Sequence, residues 1–421
     1  MRGLPQIRES GLRDLPARIL WPGLFVALLL RVAAWVLVGD KLPVHGFEAG
    51  VIAGHLAAGS GYWMPFYYTQ VPIHSFIPPF YPVLMALLER AGADPVFWLR
   101  LIQVLASLGN ALLAAELAGR WFGRRAMILS FLIVSCYPLF AIYSLAIFST
   151  TFIMTWVLIL MNIMDRVDGP RPLLVGSLTG LLHGLAILTS PPLGLLGILF
   201  LFRLWRFPNP GRLRRTVSYL IVLGLVWSPW ILRNWAVHGQ LLLTSSNGGF
   251  NFLVGNNPYA GGYTWGEFTE EDRFWQVVDR RAVEELPEPE LERWFYRRGL
   301  SYIQAEPLHY LAFFFKKIYY FWWCRDLERF GYPGPWSLGY QILYGLCLPF
   351  MLAGIWFWRW RWRRLFPAFF LFAQYTLLYA AYFVRSRFRW EIEPLLLVFA
   401  VAGGLEIARR LRGIEYEGGG T

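Results

Sequence analysis

Apolar segments long enough to cross a membrane recur from one end of the chain to the other, with polar stretches between them. Runs of about 18 or more apolar residues are typical of membrane-spanning helices. The pattern predicts about ten spans, at residues 19–38, 97–118, 126–146, 150–164, 173–188, 193–205, 216–232, 336–358, 365–384 and 392–408. Residues 78–88 are too short to cross alone and are interpreted as a half-helix. We therefore predict an all-α polytopic membrane protein.

The polar stretches divide the chain into five predicted parts. They are a cytoplasmic N-terminal tail (1–18), an N-terminal transmembrane module (19–233) that includes an outer loop (39–82), an outer loop with interfacial helices (234–335), C-terminal transmembrane helices (336–412) and a cytoplasmic tail (413–421). Lys316 and Lys317 interrupt the apolar run 309–323, so an interfacial or re-entrant helix is expected there. Within the second outer loop, residues 284–298 are interpreted as mostly a solvated helical face, with no site implied.

Composition and charge strengthen the membrane assignment. Hydrophobic residues make up 56% of the chain and its mean hydropathy is +0.42, both well above a soluble domain. The net charge of +12 comes largely from arginines in short loops between the predicted spans. Cationic loops stay on the cytoplasmic side of a membrane. The charge therefore indicates topology, with both termini cytoplasmic, and not a nucleic-acid surface.

Several kinds of chemistry lack a matching motif. The three scattered cysteines form neither a disulfide framework nor a zinc pattern. A P-loop, a Gly-rich dinucleotide fingerprint and an H-E-x-x-H pattern do not occur. Nucleotide-driven transport has no support in this chain, and we predict no cofactor and no metal site.

The first outer loop carries the leading catalytic candidate, Glu48. Apolar spacing predicts a short amphipathic helix over 47–58, with Glu48 near its start. A carboxylate there could simply complement the helix dipole. Alternatively, it could act as a general base whose pKa is raised by partial desolvation at the membrane boundary. His55 lies two turns away, about 10 Å along the helix axis, so a direct hydrogen bond between the two is not expected.

The last outer loop carries three arginines that break the charge bias of the other loops. Arg385, Arg387 and Arg389 lie on the predicted outer side. The planar guanidinium group suits phosphate, to which it can donate two charge-assisted hydrogen bonds. The alternative is pairing with Glu391, Glu393 or lipid headgroups. Arg233, at the outer end of its span, is a weaker candidate of the same type.

Four stretches of the sequence resemble the clan C glycosyltransferases. They are FEAGVIAGHLAAGSGY, PPFYPVLMALL, RNWAVHGQLLLTSSNGGFNFLVGNNPYAGG and RFRWEIEPLLLVFAVAGG. The resemblance is to the bacterial family-39-like relatives of the protein O-mannosyltransferases and of the lipid A aminoarabinose transferase. It implies transfer of a sugar, with inversion, from a polyprenyl-phosphate carrier to an acceptor on the outer side. It also implies that Glu48 is the base and that Arg387 and Arg389 face the carrier phosphate.

The chain departs from this family's pattern at four places. Glu48 stands where the family usually has Asp. Ser149, Thr150 and Thr151 occupy a region that often contains an acidic residue. Ser190 stands where an arginine is common. His74 is the nearest match to a basic residue that often precedes the Pro-Pro-x-Tyr-Pro run.

The sequence therefore predicts a glycosyltransferase of the cytoplasmic membrane with its active site on the extracytoplasmic side. The expected partners are a polyprenyl-phosphate sugar, the membrane and a lipid, polysaccharide or protein acceptor. The candidate residues are Glu48 as base; Arg387, Arg389, Arg385 and Arg233 at the donor phosphate; and His55, His74, Tyr81, Asn247, Asn251, Asn256 and Asn257 in the substrate and acceptor loops. A flippase or transporter for lipid-linked glycans, or a polysaccharide ligase, remains the alternative.

Overall fold

Helices make up most of the computed structural model, which describes residues 9–42, 44–166, 171–206, 211–262, 268, 270–323 and 334–412. The first eight residues and the predicted tail 413–421 lie outside that range. The α-helices are α1 (Ala17–Val38), α2 (Phe47–Ala57), α3 (Phe80–Arg90), α4 (Pro95–Phe122), α5 (Arg124–Cys136), α6 (Pro138–Tyr143), α7 (Thr150–Asp165), α8 (Pro172–Thr189), α9 (Leu196–Arg206), α10 (Arg212–His238), α11 (Asn247–Gly255), α12 (Glu271–Val277), α13 (Arg280–Glu285), α14 (Glu288–Ala305), α15 (Pro307–Trp322), α16 (Gly334–Trp358), α17 (Trp362–Ala381), α18 (Ser386–Trp390) and α19 (Glu393–Leu411).

Several apolar helices are long enough to cross a membrane. In the described part of the chain, five segments meet the requirements of length and composition: Ala17–Lys41, Pro95–Phe122, Pro172–Thr189, Arg212–His238 and Ser337–Ala381. The other predicted spans correspond to shorter helices or to two helices in succession. Residues 126–146, for example, are divided between α5 and α6 where Pro138 follows Tyr137. The predicted all-α membrane architecture is confirmed, whereas the number of ten crossings remains a prediction.

Glycines allow two pairs of membrane helices to pack backbone against backbone. On α8, a Cβ atom at Gly180 would lie 2.5 Å from the Tyr219 carbonyl oxygen of α10. Between α16 and α19, a Cβ at Gly354 would lie 1.9 Å from the Phe399 carbonyl oxygen. Small residues at such contacts allow close van der Waals packing. This packing drives the association of helices in a membrane, because the surrounding lipid is apolar and the hydrophobic effect does not favour helix–helix contact.

A buried arginine joins the first span to its neighbours. Arg31 in α1 is fully buried, and it donates hydrogen bonds to Ser107 Oγ at 2.7 Å, to the Ser135 carbonyl at 3.0 Å and to the Ala27 carbonyl at 2.8 Å. Ionisable groups inside membranes normally face the bundle interior and are paired in this way. Arg31 thus holds α1 against α4 and α5.

The two outer loops fold together into a second core. A two-stranded antiparallel hairpin, β1 (Met64–Pro65) and β2 (Pro72–Ile73), places Met64 opposite Ile73. Aromatic side chains from this hairpin and from α11, α12 and α14 pack together, namely Phe66, Phe76, Phe250, Phe274 and Phe295. The helix predicted over residues 284–298 has, besides its solvated face, a buried face formed by Leu291 and Phe295 of α14, which pack in this core.

Candidate active site

A cavity of about 710 Å³ lies where the outer loops meet the ends of the membrane helices. Its walls come from α2, α3, the start of α7, the turn between α8 and α9, α11, α14 and the segment around α18. Six of the predicted site residues line it: Glu48, Tyr81, Asn247, Asn251, Arg385 and Arg387. Residues far apart in the sequence thus contribute a carboxylate, two amides and two guanidinium groups to one space.

The backbone at the start of α2 presents Glu48 to the cavity. Gly46 and Phe47 both have positive φ angles, of 61° and 47°. This conformation is unusual for phenylalanine, and such strain persists only where the surrounding structure enforces it. The following turn is equally tight, since a Cβ at Gly50 would lie 1.7 Å from the His45 carbonyl oxygen. The sharp turn fixes the direction in which the Glu48 side chain leaves the helix.

Tyr67 is the hydrogen-bond partner of Glu48. Its hydroxyl donates a short hydrogen bond to Glu48 Oε1. The tyrosine ring lies between the outer loops, stacked on Phe250 with centroids 5.2 Å apart and edge-on to Phe76 at 5.7 Å. The pKa of Tyr67 is raised well above its usual range, mainly by burial and to a smaller extent by the nearby charge of Glu48. Tyr67 therefore stays protonated and holds the carboxylate in one orientation.

Arg385 and Arg387 supply positive charge to the same cavity. The Arg387 guanidinium lies 5.0 Å from the centre of the Phe148 ring, and that of Arg385 lies 5.5 Å from the Phe383 ring. Both arginines act electrostatically on Tyr67, opposing the effect of Glu48 on its pKa. The carboxylate of Glu48 and the guanidinium groups of Arg385 and Arg387 therefore face a common space, where a proton acceptor and two anion-binding groups are available.

Arg389 lies on the other side of its short helix and does not line the cavity. It is 1% exposed, and it donates to the Phe321 carbonyl at 2.8 Å and to Tyr340 Oη at 2.7 Å. Its Nε atom lies 3.8 Å from Glu393 Oε2. For Arg389, the structure thus shows the pairing with Glu393 that the sequence analysis gave as the alternative to phosphate binding. Through these contacts Arg389 joins α18 to α15, α16 and α19.

Arg233 and His74 support the first outer loop from outside the cavity lining. Arg233 donates to the His74 carbonyl at 2.6 Å and to the Tyr62 carbonyl at 3.0 Å. Glu288 of α14 accepts hydrogen bonds from the backbone amides of His74 and Ser75, at 2.6 and 2.8 Å. These contacts connect the first outer loop to α10 and α14.

The remaining predicted residues have local partners. His55 stacks on Trp63 with ring centroids 3.8 Å apart, and its Nδ1 lies 2.8 Å from the Trp63 carbonyl. Asn256 donates to the Ala381 carbonyl at 2.8 Å and accepts from Lys317 at 3.0 Å. Asn257 donates to the Leu253 carbonyl at 2.9 Å. The structure places these three side chains in the scaffold around the cavity.

Two further carboxylates, Glu292 and Glu391, line the cavity and were not predicted as site residues. Burial raises the pKa of Glu292 to about 7 against the effect of the Gly249 amide. Burial likewise raises the pKa of Glu391 to about 8, while Tyr375 and Arg387 oppose the shift. The i, i+4, i+8 spacing of Glu288, Glu292 and Tyr296 on one helix face was the available signal for Glu292.

Three of the four places at which the chain departs from the family pattern contribute to the cavity lining, and His74 is the exception. Ser149, Thr150 and Ser190 line it, so hydroxyl groups occupy places where charged side chains are common. Among the described residues, no group of three or more His, Cys, Asp or Glu side chains is arranged to hold a metal ion.

Comparison with known proteins gives one family match and several similar solved structures. Residues 77–232 match the family model described as dolichyl-phosphate-mannose-protein mannosyltransferase. Comparison with curated proteins found no match. The chain is similar to the oligosaccharyltransferase of Archaeoglobus fulgidus in its apo form, with 14% identity and a TM-score of 0.54 over 95% of this chain and 52% of that chain.

Two further solved structures match. One is the archaeal oligosaccharyltransferase AglB from Archaeoglobus fulgidus in complex with an inhibitory peptide and a dolichol-phosphate, with 14% identity and a TM-score of 0.51 over 96% of this chain and 52% of that chain. The other is ArnT from Cupriavidus metallidurans bound to undecaprenyl phosphate, with 16% identity and a TM-score of 0.39 over 92% of this chain and 78% of that chain. The present chain spans about half the length of the archaeal oligosaccharyltransferase that it matches.

The likeness to the archaeal enzyme extends over nearly the whole chain and establishes the fold. Together with the family match over residues 77–232, it confirms the predicted resemblance of this protein to the polytopic clan C (GT-C) glycosyltransferases of the family-39-like type.

Proposed function

We propose that this protein transfers a sugar from a polyprenyl-phosphate donor to an acceptor hydroxyl, with inversion at the anomeric carbon. The reaction would take place in the 710 Å³ cavity, on the outer side of the cytoplasmic membrane. The observation that carries the proposal is that Glu48, Arg385 and Arg387 line one cavity and all act electrostatically on Tyr67. This combination serves proton removal at one end of the reaction and phosphate departure at the other.

Glu48 is the general base of the proposed reaction. The acceptor oxygen attacks C1 of the sugar, and its proton passes to the carboxylate of Glu48. Tyr67 donates to Oε1 of Glu48, so the other carboxylate oxygen is available to the acceptor. Tyr67 is therefore a positioning residue, because it orients the base without touching the reacting atoms.

Arg385 and Arg387 stabilise the leaving group. As the bond between C1 and the phosphate oxygen breaks, the electron pair leaves with the polyprenyl phosphate. Negative charge on that phosphate develops in the transition state, and preorganised guanidinium groups stabilise it more strongly there than in the ground state. Two arginines can neutralise a phosphate monoester, so the proposed chemistry needs no metal.

The test is release of polyprenyl phosphate by the purified protein in lipid, supplied with a panel of radiolabelled polyprenyl-phosphate sugars. We expect wild type to release the carrier from one donor, and Glu48→Gln to lower the rate by about 10²–10⁴-fold, the usual contribution of a general base. Glu89→Gln, at an exposed carboxylate of α3, is the matched control. Equal release by wild type and Glu48→Gln would contradict the role of Glu48.

An oligosaccharide donor is a second candidate, as for a polysaccharide ligase. The size of the cavity admits more than one sugar unit, because about 710 Å³ is in the upper part of the range of small-molecule pockets. The same assay distinguishes the two donors when it includes a polyprenyl-linked oligosaccharide. Release from that substrate alone would replace the monosaccharide donor by an oligosaccharide. Failure of every donor would favour a flippase.

A further inference from the structure

Helices α11 and α14 of the second outer loop give the active-site cavity a polar wall. Asn247 and Asn251 of α11 line the cavity, as do Glu292 and Tyr296 of α14. Each pair has i, i+4 spacing, which puts both members on one face of their helix. The four side chains are half-buried. Two amides, a carboxyl group and a phenol therefore lie side by side in the cavity lining.

Glycines hold the two helices of this wall close together. A Cβ atom at Gly249 would lie 2.1 Å from the Glu292 carbonyl oxygen, and one at Gly248 would lie 2.5 Å from Tyr296 Oη. The Gly249 amide also donates a hydrogen bond to the side chain of Glu292. A larger residue at either glycine would push the helices apart. Their close contact therefore keeps the amide side chains of α11 beside the carboxyl group of α14.

The polar wall reaches from the proposed base to the proposed phosphate site. On one side, Phe250 of α11 stacks on Tyr67, the tyrosine that orients the base. On the other side, Tyr296 Oη lies 2.9 Å from Tyr382 Oη. Tyr382 also lines the cavity, three residues before Arg385. In the proposed reaction the sugar lies between the base and the departing phosphate, so this wall runs beside it.

Other parts of the cavity lining are apolar and come from the membrane helices. Ile153 of α7, Leu195 before α9 and Leu378 of α17 contribute to it. Such surfaces suit the hydrocarbon of a lipid-linked donor. Hydroxyl groups that leave water, in contrast, need hydrogen-bond partners. The polar wall from the outer loops and the apolar lining from the membrane helices thus match the two halves of a glycolipid.

We propose that Asn247, Asn251 and Glu292 bind the hydroxyl groups of the transferred sugar and select a sugar without an acidic group. This sugar subsite, which rests on the proposed function, uses amides because an amide both donates and accepts hydrogen bonds, as a sugar hydroxyl does. Ser245 Oγ donates to Asn247 Oδ1 at 3.0 Å, so the sugar meets the NH2 group of that amide. The two cavity arginines face the donor phosphate. A carboxylate on the sugar would therefore meet Glu292, and burying two acidic groups together is unfavourable.

The experiment measures dissociation constants of the purified protein in lipid, without acceptor, at pH 8, above the pKa of about 7 of Glu292. The probes are bare polyprenyl phosphate, the same carrier linked to an uncharged sugar (glucose, mannose, galactose or arabinose) and the same carrier linked to glucuronate. We expect wild type to bind one of the uncharged donors at least about tenfold more tightly than the bare carrier, as a few added hydrogen bonds would give. The glucuronate donor should bind no more tightly than the bare carrier.

Variants of the wall separate sugar binding from carrier binding. Asn247→Ala/Asn251→Ala should bind the bare carrier as wild type does and lose most of the preference for the uncharged donor. Glu292→Gln should bind the glucuronate donor more tightly than wild type does. Gln304→Ala, at an exposed amide of α14, is the matched control and should bind every probe as wild type does. If the double variant does not fold, Asn251→Ala alone should lose part of the preference.

Three results would overturn the sugar subsite. One is equal affinity of wild type for the bare carrier and every uncharged donor, even where carrier release shows that the protein is a transferase. Another is a double variant that keeps the wild-type preference. The third is a double variant that loses affinity for bare carrier and donor to the same extent, which would indicate a structural role. Sugar-dependent binding without carrier release from any donor would instead retain the subsite and contradict the proposed reaction.

Discussion

At the scale of single residues, the closest contrast is between Arg387 and Arg389. Positions two apart on a helix differ by about 200° around its axis, so the two side chains of α18 leave in opposite directions. Arg387 lines the cavity, whereas Arg389 is buried beside Glu393. Sequence patterns place both in one basic loop. Only the packing of α18 between other helices decides which arginine can meet a substrate.

The two arginines should therefore respond differently to substitution by glutamine. Arg387→Gln is expected to lower donor turnover by at least tenfold while leaving the melting temperature close to that of wild type. Arg389→Gln leaves Glu393 buried without its cation, which typically costs about 3–5 kcal/mol, so its melting temperature should fall markedly. Thermal unfolding and carrier release, measured on the same preparations, test both outcomes. A stable but inactive Arg389→Gln protein would contradict this division of roles.

At the scale of elements, the start of α2 is the feature that orients the proposed base, Glu48. Its range is close to the amphipathic segment predicted over 47–58, because apolar spacing is a local property of the sequence. The turn that precedes it is not evident from that spacing. Gly46, Phe47 and Gly50 create a tight entry that depends on the backbone of His45 and orients Glu48.

Two glycines within α2 provide a matched pair for testing this entry. A methyl group at Gly50 would lie 1.7 Å from the His45 carbonyl oxygen, whereas one at Gly54 has nothing within 4 Å. We expect Gly50→Ala to lower the melting temperature and carrier release together, because the turn must open and Glu48 moves. Gly54→Ala should be neutral or stabilising, since alanine is favoured over glycine in a helix by about 1 kcal/mol. Similar losses in both variants would contradict a special role for the entry turn.

At the scale of the whole molecule, α14 connects the second outer loop to the cavity and to the first outer loop. Glu288 binds backbone amides of the first loop, and Glu292 lies at the cavity next to Gly249 of α11. The stability of the assembled outer region should therefore depend on the ionisation of Glu292. Its pKa rises from 4.5 to about 7 on folding, mainly because of burial.

The direction of the pH effect follows from proton binding. Between pH 4.5 and about 7 the folded protein holds a proton at Glu292 that the unfolded chain releases, so the contribution of this group to stability falls as the pH rises. Glu292→Gln removes the contribution. Relative to wild type, the melting temperature of this variant should rise from pH 4.5 to about pH 7 and level off above that pH. Glu290→Gln, at a side chain that is 41% exposed, is the control, and a pH-independent difference for Glu292→Gln would contradict the assignment.

The sequence by itself determined the class of the protein, most helix positions and the candidates Glu48, Arg385 and Arg387. These follow from local properties: hydrophobic run length, helical spacing and the charge of individual loops. Tertiary structure decided which polar side chains share the cavity. Arg233, Asn256 and Asn257 became parts of the scaffold and Glu292 joined the cavity wall, because each outcome depends on contacts between segments distant in the chain. Residue type describes what a side chain can do, and only the packing of the helices and outer loops determines what it faces.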